Sequence, residues 1–260
     1  MSIEEIKKIV IEAGQYILLH RNNKIITKGK DDYVTEIDLY VQNKIKDSLY
    51  KLYPDIQFIG EENQLHNADF NKKCWVLDPI DGTTNYIHDY KCSVVSLALL
   101  DKGKTILGIV YNPYLDELFE AQYQQGALLN GEPIHVSNEV DLSNGLIAVG
   151  TSPYYKDEET VTDNFNIMKE VLMHCTDIRR SGSATLDMIN TACGRVEAYL
   201  ERNVKLWDYA AARLIVEEAG GIVCDYDGYP VTHEMNVDLI TGNKEVVETI
   251  LHKCINEDLR

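Results

Sequence analysis

Two aspartates in a single tight turn form the arrangement of residues most suited to chemistry in this sequence. Asp78 and Asp81 flank Pro79 and Ile80, and they follow the apolar run of residues 74–77. Mg²⁺ prefers oxygen ligands in octahedral geometry, and this turn can offer two carboxylates together with the carbonyl of Ile80. The spacing therefore predicts a seat for a divalent metal at the end of a buried strand.

The residues after this turn are suited to binding an anion. Gly82, Thr83 and Thr84 follow Asp81 directly, and a glycine followed by hydroxyl residues at a helix start presents free backbone N–H groups. A metal site and a phosphate site would thus lie in one segment. For the pattern Asp-x-x-Asp-Gly alone, a structural turn without any ligand is an equal alternative, because turns favour these residues.

The charge of the chain restricts its partners. Acidic residues number 42 and basic residues 25, and the resulting formal charge of -17 argues against a nucleic-acid backbone as the partner. A carboxylate-rich site would repel an anionic phosphate unless divalent metal intervened, so metal dependence is expected. With 45% hydrophobic and 26% charged residues, the composition is that of an ordinary globular protein.

The cysteines and the first residues bear on the compartment. None of the six cysteines forms a C-x-x-C pair, so no zinc or redox centre is predicted. Residues 1–5 lack the basic and apolar regions of a signal peptide, and no stretch has about 18 uninterrupted apolar residues. We expect a soluble cytoplasmic protein with no membrane partner.

Apolar periodicity predicts the elements that position these residues in the first half of the chain. Helices are expected over residues 3–17 and 37–52, the first opened by a capping box of Ser2 and Glu5. A polar loop through residues 28–30 separates them. Strands are expected at residues 57–59 and 74–77 and, in antiparallel pairing, at residues 94–100, 106–111 and 118–121.

Strand and helix patterns alternate in the second half. The predicted strands are residues 147–149, 177–178, 196–200 and 222–224, and the predicted helices are residues 160–174, 183–193, 207–219 and 244–255. This order indicates an α/β (α+β) fold. Because no linker is evident, we expect one catalytic unit over residues 1–260. Its approximate halves are residues 1–145, with the metal and phosphate motifs, and residues 146–260, with the substrate-side motifs.

The metal turn also carries a family resemblance. Residues 75–85 read Trp-Val-Leu-Asp-Pro-Ile-Asp-Gly-Thr-Thr-Asn, which closely resembles the first signature of the inositol monophosphatase family. Four further motifs of that family occur in the family's order, at Lys28 with residues 32–38, and at residues 60–62, 207–211 and 218–221. The resemblance implies a layered α-β-α-β-α sandwich of the sugar-phosphatase type, a homodimer, and inhibition by lithium at a magnesium position.

The resemblance further implies two or three Mg²⁺ ions in each active site. Glu61, Asp78 and the Ile80 carbonyl look like ligands of a first ion, and Asp78, Asp81 and Asp208 look like ligands of a second. Asp78 would then bridge the two. Two cations about 3.5 to 4 Å apart can activate a water nucleophile and stabilise the departing alkoxide.

Catalytic roles follow from the same resemblance. Thr83 and Glu61 would orient the attacking water, Asp38 would hold Thr83 from behind, and Glu62 would act behind the metal ligands. Because the nucleophile is water, no serine, cysteine or histidine needs to be modified covalently, and none stands in an obvious triad pattern.

A second group of residues resembles the family's contacts to substrate. These are Asp81, Gly82, Thr83, Ser183, Ala184, Glu201 and Asp208. Glu201 has a structural alternative as a solvated strand end, because charged residues usually stay exposed, and Ser183 is similarly open. Lys28 could lie on the phosphate side or be a solvated loop charge. Leu206 and Thr185 depart from the family's pattern, which suggests a different rim of the substrate pocket.

The function implied by the resemblance is Mg²⁺-dependent hydrolysis of inositol monophosphate, a small-molecule phosphomonoester, to inositol and phosphate. Two alternatives remain open. One is a related superfamily phosphatase that acts on fructose 1,6-bisphosphate, 3'-phosphoadenosine 5'-phosphate or NADP. The other is a non-catalytic metal-binding regulatory protein, which would have to keep an intact but unused set of ligands.

Overall fold

The helices and strands come from a computed structural model that describes residues 2–20, 25–29, 32–62, 68–152 and 156–255, with the backbone alone for residues 25–29 and 32–34. The helices are α1 (Ile3–Leu19), α2 (Glu36–Leu52), α3 (Thr83–Ile87), α4 (Glu158–His174), α5 (Ala184–Ala192), α6 (Leu206–Glu218) and α7 (Lys244–Ile250). A 3-10 turn, Leu142–Asn144, precedes the second half, and a π-helical turn, Leu251–Ile255, continues α7.

The strands of the first half are β1 (Ile25–Gly29), β2 (Asp32–Thr35), β3 (Gln57–Gly60), β4 (Cys74–Asp81), β5 (Val94–Asp101), β6 (Lys104–Asn112), β7 (Glu117–Gln122), β8 (Ala127–Leu129) and β9 (Glu132–Ile134). Those of the second half are β10 (Leu146–Val149), β11 (Asp177–Arg179), β12 (Ala198–Lys205), β13 (Ile222–Asp225) and β14 (Asn236–Gly242).

These strands form two sheets and a separate hairpin of β1 and β2. The larger sheet has seven strands in the order β3-β4-β5-β6-β7-β8-β9, with β3 and β4 parallel and the other neighbours antiparallel. The smaller sheet has five strands in the order β11-β10-β12-β14-β13, and β10 runs parallel to both of its neighbours.

Three apolar cores hold five layers together. α1 and α2 pack on one face of the seven-stranded sheet, and α5 and α6 lie between the two sheets. α4 and α7 cover the outer face of the five-stranded sheet. The order of layers is α-β-α-β-α, which confirms the layered sandwich expected from the sequence.

β4 shows how one strand can serve two cores. Trp75 and Leu77 belong to the core beneath α1 and α2, whereas Cys74 and Val76 belong to the core of the central helices. Successive side chains of a strand point to opposite faces of the sheet, so an uninterrupted apolar run is buried on both sides. The acidic end of β4 therefore emerges inside the molecule rather than at its surface.

Five strands lie where the sequence predicted none, namely β1, β2, β8, β9 and β14. Residues 28–30 were expected in a loop, but Ile25–Gly29 forms β1, whose Ile25 and Ile26 pair with Thr35 and Val34 of β2. β-Branched residues favour strands, and the neighbouring polar residues obscured this short run. Asn236–Gly242 forms β14, which pairs with β12 and β13.

No helix in the described part of the chain combines the length and the apolar character that crossing a bilayer requires.

Candidate active site

Three aspartates from two distant segments meet at the predicted metal turn. Asp78 and Asp81 lie at the end of β4, and Asp208 lies in the first turn of α6. One carboxylate oxygen from each lies within 4.8 Å of the other two. We call Asp78, Asp81 and Asp208 the carboxylate triad. Asp78 is 2% exposed and Asp81 is 8% exposed, so acidic groups gather where little water reaches them.

An irregularity in β4 allows two of these aspartates to share one site. In a regular strand, residues 78 and 81 would point to opposite faces. The pairing with β5 shifts between Asp78 and Asp81, because Asp78 lies opposite Ser96 and Asp81 lies opposite Val94. Such a bulge inserts an extra residue and can redirect a side chain. The Ile80 N–H donates to Oδ1 of Asp78 at 2.9 Å and holds the turn.

Asp81 connects the metal turn to the start of α5. Its Oδ2 accepts hydrogen bonds from Oγ of Ser183 at 2.7 Å and from the N–H of Thr185 at 2.6 Å. Ser183 is also the N-cap of α5, where its Oγ accepts from the N–H of Leu186 at 3.2 Å. The structure thus brings Ser183, and with it the adjacent Ala184, next to Asp81.

Asp208 is held by the strand end before it and by α5. Its Oδ2 accepts from the N–H of Lys205 at 3.1 Å, and its carbonyl accepts from Oγ1 of Thr185 at 2.6 Å. Thr185 and Leu206 are both fully buried. The expectation that these two residues change the rim of the pocket is therefore wrong, because the Thr185 hydroxyl finds its acceptor in the interior.

Thr83 stands beside the metal turn with Asp38 behind it. Oγ1 of Thr83 lies 3.1 Å from Oδ1 of Asp38 and 3.1 Å from the Ile80 carbonyl. A hydroxyl has one proton, so it can donate to one of these acceptors at a time. Asp38 is fully buried, and its Oδ2 accepts from the N–H of Thr35 at 2.8 Å in the capping box that opens α2. The helix cap thereby fixes the carboxylate that holds Thr83.

Gly82 is required by the backbone at the start of α3. It is the N-cap residue with φ of 91°, in the left-handed region, and a Cβ there would lie 2.7 Å from the carbonyl of Cys92. A side chain would be both strained and obstructed. The glycine predicted to cradle phosphate therefore has a steric reason of its own to be there.

Three further predicted residues lie in β1 and directly after β3. The N–H of Glu61 donates to the carbonyl of Leu77 at 3.1 Å, and the charge of Glu61 raises the pKa of Asp78. The N–H of Glu62 donates to Oε1 of Gln42 at 3.1 Å, which ties it to α2. Lys28 lies in β1, and its side chain is outside the described part of the structure.

Burial and mutual repulsion dominate the electrostatics of the triad. Burial raises the pKa of Asp78 well above its usual value, and the charges of Glu61, Asp81 and Asp208 raise it further. Burial and the charges of Asp81 and Glu61 do the same to the pKa of Asp208. Burial also raises the pKa of Asp81, against the hydrogen bonds from Ser183 and Thr185. Like charges in low dielectric are unfavourable unless a cation compensates them.

The donor set of the triad fits a hard cation. Carboxylate oxygens are the ligands that Mg²⁺ prefers, and several acids this close need positive charge to ionise together. The triad could therefore hold a metal ion, and Glu61 would add a further oxygen.

Glu201 accepts hydrogen bonds on both of its carboxylate oxygens. It lies in β12, where the pairing with β14 shifts between Glu201 and Val204. Its Oε1 accepts from the N–H of Ser152 at 2.7 Å, and its Oε2 accepts from the hydroxyl of Tyr199 at 2.5 Å. Burial raises the pKa of Glu201. The alternative of a solvated strand end is thus wrong, because both carboxylate oxygens are engaged inside the protein.

Sequence reasoning missed two side chains that hold the loop before Ser183. Nδ2 of Asn85 donates to the carbonyls of Cys92 at 2.6 Å and Ser181 at 3.0 Å. Oδ2 of Asp187 accepts from the N–H of Ser181 at 3.2 Å. Burial raises the pKa of Asp187 to about 7. Asn85 ends the signature segment itself, which was the available signal, whereas Asp187 sits within a helical pattern that gave none.

Comparison with known proteins identifies the family. The profile of the Inositol monophosphatase family matches residues 2–260. The chain belongs to this family. The sandwich and the paired aspartates at the end of β4 are therefore features of an inositol monophosphatase family member.

Individual relatives of this inositol monophosphatase family member carry two kinds of name. An Inositol-1-monophosphatase of Synechocystis is 38% identical over 262 residues, covering 99% of this chain and 88% of the relative. A Nus factor SuhB of Xylella fastidiosa is 36% identical over 252 residues, covering 94% and 90%. Among solved structures, the Thermotoga maritima IMPase has a TM-score of 0.87 at 31% identity, covering 97% of this chain and 96% of that one.

Proposed function

We propose that this chain is a Mg²⁺-dependent phosphomonoesterase that hydrolyses inositol monophosphate to inositol and phosphate. The convergence of Asp78, Asp81 and Asp208 within 4.8 Å is the observation that carries the proposal. Membership of the inositol monophosphatase family and the relative named Inositol-1-monophosphatase support it.

In this proposal the metal ligands are Glu61, Asp78, the Ile80 carbonyl, Asp81 and Asp208. Two or three Mg²⁺ ions held there would supply Lewis-acid activation of water and neutralisation of phosphate charge. The compact arrangement of the triad supports the set, and so does the charge of Glu61, which adds to burial in raising the pKa of Asp78.

The chain's own residues would position the reacting groups. Thr83 and Glu61 would orient the attacking water, and the hydrogen bond from Thr83 to Asp38 supports this role because it fixes the hydroxyl. The N–H groups of Gly82 and Thr83 would bind phosphate oxygens. Holding the water and the phosphate in line removes much of the entropy cost of the reaction.

The alcohol part of the substrate would meet a separate group of acceptors and donors. Ser183 and Ala184 at the start of α5, together with Glu201, Asp81 and Asp208, would hydrogen-bond its hydroxyls. The bond from Ser183 to Asp81 supports this grouping because it joins the two sides of the site. Lys28 is proposed for the phosphate side.

The metal ligands alone do not distinguish inositol phosphate from other phosphomonoesters. A related phosphatase acting on fructose 1,6-bisphosphate, 3'-phosphoadenosine 5'-phosphate or NADP would use the same metal set, because the ligands that bind Mg²⁺ would activate water in the same way for each phosphomonoester. Phosphate release from a panel of these compounds and inositol 1-phosphate, with Mg²⁺ titrated, separates them. We expect inositol 1-phosphate to have the highest kcat/KM. A nucleotide bisphosphate turning over far faster would contradict the choice of substrate.

A second candidate function follows from the relative named Nus factor SuhB. The chain would then act as a Nus factor, and hydrolysis would be secondary or absent, as in a non-catalytic metal-binding regulatory protein. Phosphate release from a generic phosphomonoester with and without EDTA distinguishes the two. Mg²⁺-dependent release supports the enzyme, and a complete absence of release supports the regulatory protein.

The assembly and setting of the enzyme are also proposals. We propose a homodimer, inhibition by lithium at a magnesium position, a cytoplasmic location without nucleic-acid or membrane partners, and one catalytic unit over residues 1–260. Sedimentation analysis and lithium titration of phosphate release would test the first two.

A further inference from the structure

The carboxylate of Glu201 sits in a pocket built from two strands. Gly150 and Ser152 follow β10, and Tyr199 precedes Glu201 by two residues in the neighbouring strand β12. β10 and β12 pair in parallel, so the end of β10 reaches the level of Glu201. We call Gly150, Ser152 and Tyr199 the Glu201 cradle.

Both hydrogen-bond donors of the cradle are neutral, and each donates to one carboxylate oxygen of Glu201. The Ser152 N–H donates to Oε1 at 2.7 Å, and the Tyr199 hydroxyl donates to Oε2 at 2.5 Å. A carboxylate has about four lone-pair sites, so two acceptor positions remain. The carboxylate can therefore still accept a hydrogen bond from a substrate hydroxyl.

The backbone around Ser152 is strained in order to make this contact. Ser152 has φ of 47° although it is not glycine, and it is 3% exposed. Such a conformation costs of order 1–3 kcal/mol and persists where its surroundings enforce it. Three hydrogen bonds enforce it here: Gly150 N–H to the Leu200 carbonyl at 2.9 Å, Ser152 Oγ to the Arg202 carbonyl at 2.5 Å, and the bond to Glu201.

Steric contact completes the cradle. A Cβ on Gly150 would lie 1.9 Å from Cδ of Glu201, so the carboxylate packs directly on the backbone. Tyr199 is fully buried, and its ring is fixed within the sheet. A group placed by rigid elements is held more accurately than one placed by a loop.

The cradle is connected to the segment that leads into α5. Nε of Arg180 donates to Oγ1 of Thr151 at 3.1 Å, which ties the backbone between Gly150 and Ser152 to the loop before Ser183. This hydrogen bond links the segment that holds Glu201 to the segment that carries Ser183.

We propose that Tyr199 and the Ser152 N–H are positioning groups that aim the Glu201 carboxylate at the hydroxyls of the substrate, and so set selectivity for polyol phosphates over phosphates without hydroxyl groups. This inference rests on the proposed function, because it needs Glu201 to contact the alcohol. A purely structural cradle would stabilise the end of β10 but would not distinguish between substrates.

The test compares two substrates in the full-length protein with Mg²⁺. Tyr199→Phe removes the hydroxyl alone, leaving one buried acceptor without its donor. We expect KM for inositol 1-phosphate to rise about 5- to 10-fold, while KM and kcat for 4-nitrophenyl phosphate stay within about twofold, since that substrate offers no alcohol hydroxyl to Glu201.

Tyr111→Phe is the matched control. Its hydroxyl donates to Oδ1 of Asp116 at 2.7 Å from another buried tyrosine, in the seven-stranded sheet. The control loses the same kind of hydrogen bond, and KM and kcat should stay unchanged for both substrates. If Tyr199→Phe fails to fold, Gly150→Ala decides instead, because its Cβ would displace the Glu201 carboxylate and should raise KM for inositol 1-phosphate selectively.

The outcomes separate this inference from the proposed function. Equal loss for both substrates, or no change for either, in a folded Tyr199→Phe or Gly150→Ala protein would overturn the positioning role. Wild-type protein that releases phosphate from neither substrate would overturn the proposed function itself.

Discussion

The carboxylate triad and the Glu201 cradle bury negative charge in opposite ways. In the triad, acidic groups of β4 and α6 lie within 4.8 Å of one another, and their charges raise one another's pKa. In the cradle, a single carboxylate receives one neutral donor on each oxygen. In the first arrangement the acidic charges oppose one another, whereas in the second both carboxylate oxygens accept hydrogen bonds from the protein.

This difference indicates that the triad requires a cation, whereas the cradle requires no further partner. Buried like charges are unfavourable unless a cation compensates them, so in the proposed function the triad would gain free energy when a divalent cation binds. The cradle is ready before any ligand arrives, so it can select the alcohol without first rearranging. In the proposed function, the triad would therefore bind the metal and the cradle would contribute to the choice of alcohol.

Asp78→Asn breaks the metal side of this comparison and has the largest expected effect. Loss of a ligand at the centre of the triad should reduce Mg²⁺-dependent phosphate release by more than about 100-fold, since even residues behind metal ligands contribute 10- to 100-fold. Without metal the same variant should unfold at a higher temperature than wild type, because a repelling charge is gone. Retained turnover, or a lower metal-free unfolding temperature, would contradict the triad's role.

Asp38→Asn tests the support behind the metal side. Asn cannot hold both Thr35 and Thr83 as the carboxylate does, so kcat should fall about 10- to 100-fold with KM nearly unchanged. The α2 cap should also weaken, lowering the free energy of unfolding by about 1 kcal/mol. Thr83→Ser keeps the hydroxyl and is the control in steady-state kinetics. A change in KM alone would argue against a role in orienting water.

The pH dependence of stability sharpens the contrast. The folded-state pKa of each triad acid is raised, so the folded state binds more protons than the unfolded one. In EDTA, the free energy of unfolding should therefore fall as pH rises from about 4 towards 7. Saturating Mg²⁺ should abolish or reverse this trend for the triad. Denaturant titrations at several pH values would measure it, and the same slope with and without Mg²⁺ would count against metal binding there.

Asp187 should keep its own share of that slope when Mg²⁺ is present. Burial is the main cause of its pKa of about 7, and the charges of Glu201 and Asp81 raise it further. Asp187→Asn should make the decline between pH 4 and 7 shallower by up to about 1.4 kcal/mol per pH unit, in EDTA and in Mg²⁺ alike. An effect confined to EDTA would place Asp187 on the metal side instead.

Ser183→Ala tests the junction of the two regions and has the smallest expected effect. The hydroxyl caps α5 and donates to Asp81, so its loss should lower the free energy of unfolding by about 1 kcal/mol. Mg²⁺ half-saturation should rise about threefold, because Asp81 loses a neutral donor that orients it. Ser183→Thr should restore both quantities, and failure to do so would point to packing rather than the hydroxyl.

Much of the fold was predictable because its strongest patterns are local. Helices such as α2 and α6 have apolar residues at helical spacing, and β4 is a run too apolar for a surface position. β1, β2, β8, β9 and β14 escaped prediction. Short strands have little periodicity, and each of these is defined by its pairing, as β1 is with β2 and β14 is with β12 and β13.

The site was predictable where one segment carries it and obscure where contacts cross between segments. Asp78, Asp81 and Thr83 form a compact motif, and the family resemblance supplied Asp208. The register shift that aims Asp78 and Asp81 to one side is invisible in sequence. So is the contact of Thr185 with Asp208, because a buried hydroxyl reveals its acceptor only in the folded chain.

A crystal grown with Mn²⁺ in place of Mg²⁺ and measured at the manganese absorption edge tests the central claim most directly. The account predicts anomalous density bounded by the carboxylates of Asp78, Asp81 and Asp208, at ligand distances near those of a hard divalent cation. Manganese bound only elsewhere, with the three carboxylates turned towards protein donors, would contradict it.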